Sequence, residues 1–332
     1  MRNESYNKYL SCLLLLVVTI CLLCAGCSNK AAQNQGGAYE VTDDQGTVVK
    51  FKEKPQRIMT VTLSTDNILL GLVKPEKVVA VNTLLDDPVS SNVVELAKQV
   101  PNKIRHPKVE EILAMNPDLV IAADWGNIEY VDALRNMGVN VVVVKGAKNL
   151  QDIKDNIHLM AQAVGEPEKG DKLIEIMDQK LAEIKVKVDK IPESERKTTV
   201  LVSLMNNYGG IGCIYDEACK LAGVRNGLAE AGLHRGDKLT KEMIVKIDPD
   251  ILFMPSYNAH NTYDIDKFRN GYLKDPSLQQ MKAIKTGNVK NPRDSYIYTA
   301  SQDFCYAVQE LAYVVYGDEF KLEDQQHISV AE

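Results

Sequence analysis

The chain's single tryptophan, Trp125, stands in the polar loop Ala123-Asp124-Trp125-Gly126-Asn127, with no apolar run around it that would make it core. A ring so placed is suited to lie against a ligand, with Asp124 beside it. Arg105 carries a planar guanidinium fork that holds anionic oxygens in pairs, and Arg235 is a further ligand-binding candidate in the loop ahead of Lys241–Ile247. Tyr208, Tyr257 and Tyr298 can stack on a flat molecule or offer a phenolic oxygen to iron. Ser64, Thr65, Asp66 and Thr299 supply short hydrogen-bonding side chains. The imidazoles of His106 and His234 are candidate metal ligands. Such residues bind, and they do not assemble into a known catalytic pattern. G-x-S-x-G, H-E-x-x-H and Walker loops are missing, and Gly209-Gly210-Ile211-Gly212 lacks the spacing of a dinucleotide fingerprint.

These residues fall in predicted loops, either after an apolar strand or ahead of a repeated or final helix, and loops at strand ends are where open α/β sheets place their ligands. From residue 57 the chain alternates strand and helix: RIMTVT, Asp66–Val73, KVVAVN, Val109–Met115, DLVIAA, Ile128–Met137, VNVVVV. Continuous apolar strands between helical patterns predict a parallel sheet covered on both faces. Ahead of them YEVT and TVVKF flank Asp43-Asp44-Gln45-Gly46, a hairpin signal. Residues 151–165 read as a further helix. Residues 167–190 read as a long one, with Leu173, Met177, Leu181, Ile184 and Val188 at helical spacing over a rod of about 36 Å. After Pro192 the α/β pattern restarts with TTVLVSL, helices over Tyr215–Ala222 and Lys241–Ile247, DILFMPS, a helical stretch near 276–284, strand SYIYT and helix Gln302–Tyr316. Residues 317–332 read as an acidic, weakly apolar tail.

An internal repeat relates the two halves. Residues 110–122, EEILAMNPDLVIA, align with 242–254, EMIVKIDPDILFM; both have Glu seven residues before Pro, Asp directly after it, and then an apolar strand. Two α/β lobes joined by one long helix are therefore expected: 39–166, the linker 167–190, and 191–318, with 319–332 as tail.

With 332 residues, 45% hydrophobic and 25% charged, the chain can build two globular cores. A net charge of −6 without basic blocks excludes a nucleic-acid footprint. At the N-terminus Arg2 and Lys8 precede the apolar stretch 12–24, which rises only about 20 Å as a helix, short of the roughly 30 Å of a bilayer core. Residues 1–26 are read as a secretory signal. Leu22-Leu23-Cys24-Ala25-Gly26-Cys27 resembles a bacterial lipobox, with Cys24 where Leu is usual, so Cys27 is expected to be acylated and 28–38 to be a polar tether. Cys24-x-x-Cys27 has redox spacing, but Cys24 leaves with the signal. Cys213, Cys219 and Cys305 remain, read as buried thiols.

Taken together, the lipobox, the VTDDQG, VVKF and PQRIMTV segments, the VEEILAMNPDLVIA block and the SYIYTASQ opening of the last helix resemble the bacterial solute-binding lipoproteins that deliver siderophores, haem and cobalamin to ABC importers. The resemblance covers about 39–318. It implies two Rossmann-like lobes on a rigid helical linker, a metal-chelate ligand in the cleft, no catalysis and no resident cofactor. It implies a monomer, lipid-anchored at the outer face of the cytoplasmic membrane or on the periplasmic side in a two-membrane cell. It places Arg105 near an anion-holding position and makes His106 and His234 candidate axial ligands of haem or cobalt. It also places Glu110 and Glu242, at matching offsets in the repeat, opposite arginine pockets of a permease dimer. Two other readings stand beside it. A binder of bare zinc or manganese needs three or four converging His, Asp or Glu, and the loop Leu63-Ser64-Thr65-Asp66 has no His. A surface enzyme or adhesin on the same scaffold is the third.

Overall fold

The computed structural model describes residues 37–126, 128–205, 208–256 and 264–332. Cys27 and Tyr257 lie outside them. The hairpin forms as expected: β1 (Tyr39–Thr42) pairs antiparallel with β2 (Val48–Phe51), and the rings of Tyr39 and Phe51, opposite one another, stack at 4.8 Å. Asp43 closes the turn, its Oδ1 accepting from Gln45 N and Thr47 N at 3.0 and 2.9 Å.

Next come β3 (Ile58–Thr60), α1 (Leu63–Leu72), β4 (Val78–Asn82), β5 (Asn102–Ile104), α2 (Val109–Ala114), β6 (Leu119–Ala123), α3 (Tyr130–Asn136), β7 (Asn140–Val144) and α4 (Leu150–Ala163). The five strands β3 to β7 are all parallel, in the order β5-β4-β3-β6-β7. Along β6, Leu119, Ile121 and Ala123 enter one apolar cluster while Val120 and Ala122 enter another on the opposite face. A strand buried on both faces must be apolar at every position, which is the pattern in the sequence.

Helix α5 (Pro167–Val188) spans 22 residues, starts on a proline and buries Leu173, Met177, Ile184 and Val188. The second lobe contains β8 (Thr198–Leu201), α6 (Ile214–Leu221), β9 (Arg225–Asn226), α7 (Lys241–Ile247), β10 (Ile251–Phe253), α8 (Ile265–Leu273), β11 (Val289–Lys290) and α9 (Phe304–Tyr316). Its sheet is parallel, in the order β11-β10-β8-β9. One apolar cluster runs from Ile58 and Ile121 through Leu173 and Met177 to Phe253 and Leu311. The linker is thus part of a shared core, which opposes free rotation of the lobes.

The repeat has a local cause. Asn116 and Asp248, each just before its proline, adopt left-handed backbone at φ 49° and 47°, which Asn and Asp tolerate. The aspartate after each proline then caps the start of the neighbouring strand. Asp118 accepts from Gln56 N and Arg57 N at 2.8 and 2.9 Å, ahead of β3, and Asp250 accepts from Thr198 N at 2.8 Å, the first residue of β8.

Three expectations are corrected. SYIYT forms no strand; Asp294–Ile297 is a helical turn, buried at Ser295, Tyr296 and Ile297, and tied to α9 by Arg293 N donating to Glu310 Oε1 at 2.8 Å. The edge strand beside β10 is Val289–Lys290 instead. Helix α8 appears where none was expected. The tail packs: Leu322, Ile328 and Val330 are buried, Val330 N donates to Gly71 O at 2.8 Å, and Asn92 Nδ2 donates to Gln326 O at 2.7 Å. His327 Nδ1 lies 2.7 Å from Asp303 Oδ2. The C-terminus is a strap from the second lobe onto the first. Cys213, Cys219 and Cys305 are free and buried.

Candidate functional site

The loop after β3 turns at once into α1, whose cap is Thr62. Ser64, Thr65 and Asp66 therefore lie in a first helical turn and not in a loop. Ser64 faces the other lobe and accepts from Ala300 N at 3.0 Å. Thr65 and Asp66 are buried at the start of that helix. Asp66 is a fastener: Thr60 Oγ1 donates to its Oδ1, and Asn82 N donates to its Oδ2 at 2.9 Å, joining the ends of β3 and β4 to α1. Burial pushes its carboxyl up to about 7, against the lowering effect of those two bonds.

After β6, Asp124 Oδ1 accepts from Gly146 N at 2.8 Å and holds the loop to the end of β7. Trp125 follows, 39% exposed. The α-carbon of Gly146 serves as a ruler here. A Cβ placed on it would lie 3.5 Å from Asp124 Oδ1, 3.5 Å from Trp125 Cε3 and 3.9 Å from Arg235 Nη1. Arg235 comes from the second lobe, in an exposed loop fixed by Arg235 N donating to Ile211 O at 2.8 Å and His234 N donating to Asp237 Oδ2 at 2.7 Å. Ring, carboxylate and guanidinium thus meet at one corner from opposite lobes.

Deeper in the second lobe, Tyr208 and Tyr298 pack with ring centroids 5.1 Å apart. Tyr208 Oη donates to Ile297 O at 3.1 Å, and the hydroxyls of Tyr298 and Ser203 are 2.8 Å apart. Burial pushes both phenols well above their ordinary range. Their hydroxyls are engaged by protein, which leaves the rings for contact. Thr299 is buried and donates to Ser295 O at 3.0 Å, so it too faces protein.

Arg105 and His106 are exposed between β5 and α2, with His106 at φ 51°. His234 is exposed on the other lobe. Among the described residues no group of three or more His, Cys, Asp or Glu converges to hold a bare metal ion. Glu110 and Glu242 are both exposed and both second in their helices, α2 and α7. Hydrogen bonds from its own backbone and from Thr240 hold the Glu242 carboxyl below its usual range.

One feature of the cleft escaped sequence reasoning. A cavity of about 420 Å³ opens between the loops after β4 and β11, lined by Pro88, Val89 and Glu95 of the first lobe and Asn291, Asp294 and Ser295 of the second. Its only sequence signal is Pro292-Arg293-Asp294, masked by the strand reading of SYIYT.

Comparison with known proteins agrees with this architecture. The family model described as periplasmic binding protein matches residues 58–295, from β3 through the linker to the turn before α9. The uncharacterized ABC transporter substrate-binding lipoprotein YvrC of Bacillus subtilis is 24% identical over 315 residues, covering 90% of this chain and 95% of the relative. The probable siderophore-binding lipoprotein YfiY of the same organism is 26% identical over 315 residues, covering 89% and 93%. Among solved structures, the periplasmic heme-binding protein RhuT from Roseiflexus sp. RS-1 in apo form superimposes with a TM-score of 0.67 at 24% identity, over 79% of this chain and 98% of that one.

Proposed function

The chain belongs to the periplasmic binding protein family, and from that premise we propose that it is the substrate-binding lipoprotein of an ABC importer, capturing an iron chelate, siderophore or haem, or a corrinoid between its lobes and presenting it to the permease. The observation that carries this reading is the corner where Trp125 and Asp124 of one lobe meet Arg235 of the other. An exposed ring offers a face to a flat or apolar ligand surface, and a guanidinium pairs with its oxygens. The names of the relatives, for siderophore and haem binding, support the same ligand class. Arg105, exposed between β5 and α2, would add a second guanidinium for the ligand's oxygens. Cys27 carries the lipid, and 28–38 tether the binder near its permease and raise its effective concentration there. Glu110 and Glu242, equivalent positions on the two lobes, meet the permease dimer, while the chelate is held by one copy of the chain.

Native mass spectrometry of the detergent-solubilised chain with ferric hydroxamates, haem and corrinoids tests the reading. One of these is expected to survive desorption as a one-to-one complex; retention of none of them refutes it.

A further inference from the structure

The two ends of the cleft differ in charge. Strands β4 and β6 flank β3 in the first sheet, so the loops that follow them start about 10 Å apart. The β6 end carries Trp125 with one charge of each sign, Asp124 and Arg235. The β4 end meets the loop after β11 around the 420 Å³ cavity, and the charged groups there are chiefly acidic: Asp87 and Glu95 from the first lobe, Asp294 and Asp324 from the second.

Of these, Asp294 has no side-chain partner among the described residues. Asp87 is held by its own loop, accepting from Val89 N at 2.9 Å and Ser90 Oγ at 3.3 Å. Asp324 accepts from Arg293 Nη1 at 2.6 Å. Among the described residues that line the cavity the one cation is Arg293, and it is engaged elsewhere, with Nη2 donating to Glu310 Oε2 at 2.5 Å and to Leu322 O at 3.1 Å. Asp294 makes no hydrogen bond or ion pair among the described residues. It is half-buried, and burial together with the charge of Asp87 pushes its carboxyl up to about 6. At neutral pH it is therefore mostly ionised, partly desolvated and uncompensated, a state that costs free energy until a counter-charge arrives.

We infer that Asp294 selects chelates bearing a cationic group, a protonated amine above all, which it takes into the β4 end of the cleft while the chelate core lies toward Trp125 and Arg235. An ammonium has three donors and no acceptor. Asp294 supplies the charge, and the side-chain oxygens of Asn291 and Ser256, whose amide and hydroxyl are already joined at 2.7 Å, offer further acceptors on the cavity wall. The same wall disfavours polyanionic chelates, whose charge would face the carboxylate of Asp294 with Asp87 nearby, Glu95 being paired with Lys98 at 2.6 Å. This inference rests on the reading of the cleft as a chelate site.

A pair of probes with one chelate core tests it: ferrioxamine B, with a pendant primary ammonium, and its N-acetylated form, which is neutral there. Affinities are measured by Trp125 quenching on the full chain in non-ionic detergent. The wild type is expected to prefer the ammonium form by about tenfold or more. Asp294→Asn should bring the ratio close to one, the ammonium form losing affinity relative to the acetylated form; Asp294→Ser replaces it if the Asn variant melts below wild type. Equal binding of both probes by the wild type, or an undiminished ratio in the variant, overturns the inference. If neither probe binds while haem or a corrinoid does, the amine selection is wrong and chelate capture stands. If no chelate of any class binds, the reading of the cleft fails first.

Discussion

Replacing Asp66 by Asn separates a structural carboxyl from a ligand contact, and the expected size of the effect follows from its surroundings. The folded protein raises this carboxyl from 3.8 to about 7 because it is fully buried. The folded state therefore takes up a proton before the unfolded chain does. The associated stability is complete below the unfolded value of 3.8 and is lost as pH rises through about 7. Between about pH 8 and about pH 5, two units lie below the folded value, so Asp66 alone should add about 2.5–3 kcal/mol on acidification at about 1.4 kcal/mol per unit. An Asn mimics the protonated acid: its oxygen still accepts from Asn82 N, and its amide can donate to Thr60 Oγ1. Asp66→Asn should thus lack that pH increment and match or exceed the wild type at pH 8. Urea denaturation at both pH values, wild type against variant, gives the double difference free of other titrating groups. An identical pH increment in the two proteins would refute the reasoning, as would a loss of ligand affinity in a variant that folds normally.

Three further outcomes are expected. Cys27→Ser should leave the protein unprocessed and unlipidated, seen as failure to enter the detergent phase as a processed species. Substituting Glu110 and Glu242 together by Ala should leave ligand affinity intact and reduce uptake, since losing one partner of a desolvated charge pair costs roughly 2–5 kcal/mol; near-native melting of the variant makes the uptake assay decisive. Ending the chain after Gln325 removes Ile328 and Val330 from the core, and should lower stability by about 4 kcal/mol, measured by denaturant unfolding.

The first lobe was legible because its strands are buried on both faces, and such strands announce themselves as unbroken apolar runs. The repeat was legible as a pattern, while its cause needed coordinates: that Asp118 and Asp250 cap a neighbouring strand depends on pairing across some 60 and 52 residues. Strands of two residues, Arg225–Asn226 and Val289–Lys290, carry no period and left no trace. SYIYT has the composition of a strand, but packing on α9 outweighed propensity. Trp125 stood out because a lone ring in a polar loop is conspicuous, and the fold leaves that ring partly exposed. Thr65 and Asp66 could not be sorted from Ser64, because one residue's shift in a helix start decides which side chains face the core. Asp294 stayed hidden because a missing partner is a fact of three dimensions.

The central claim is that ligand lies between the lobes, against Trp125 and Arg235. Calorimetric titration of the full chain with the chelate retained in native mass spectrometry, repeated with Trp125→Ala and Arg235→Ala, tests it most directly. The account predicts wild-type binding at micromolar affinity or tighter, about −8 kcal/mol, weakened about tenfold or more by each substitution. Tight binding unchanged in both folded variants would place the ligand elsewhere and contradict it.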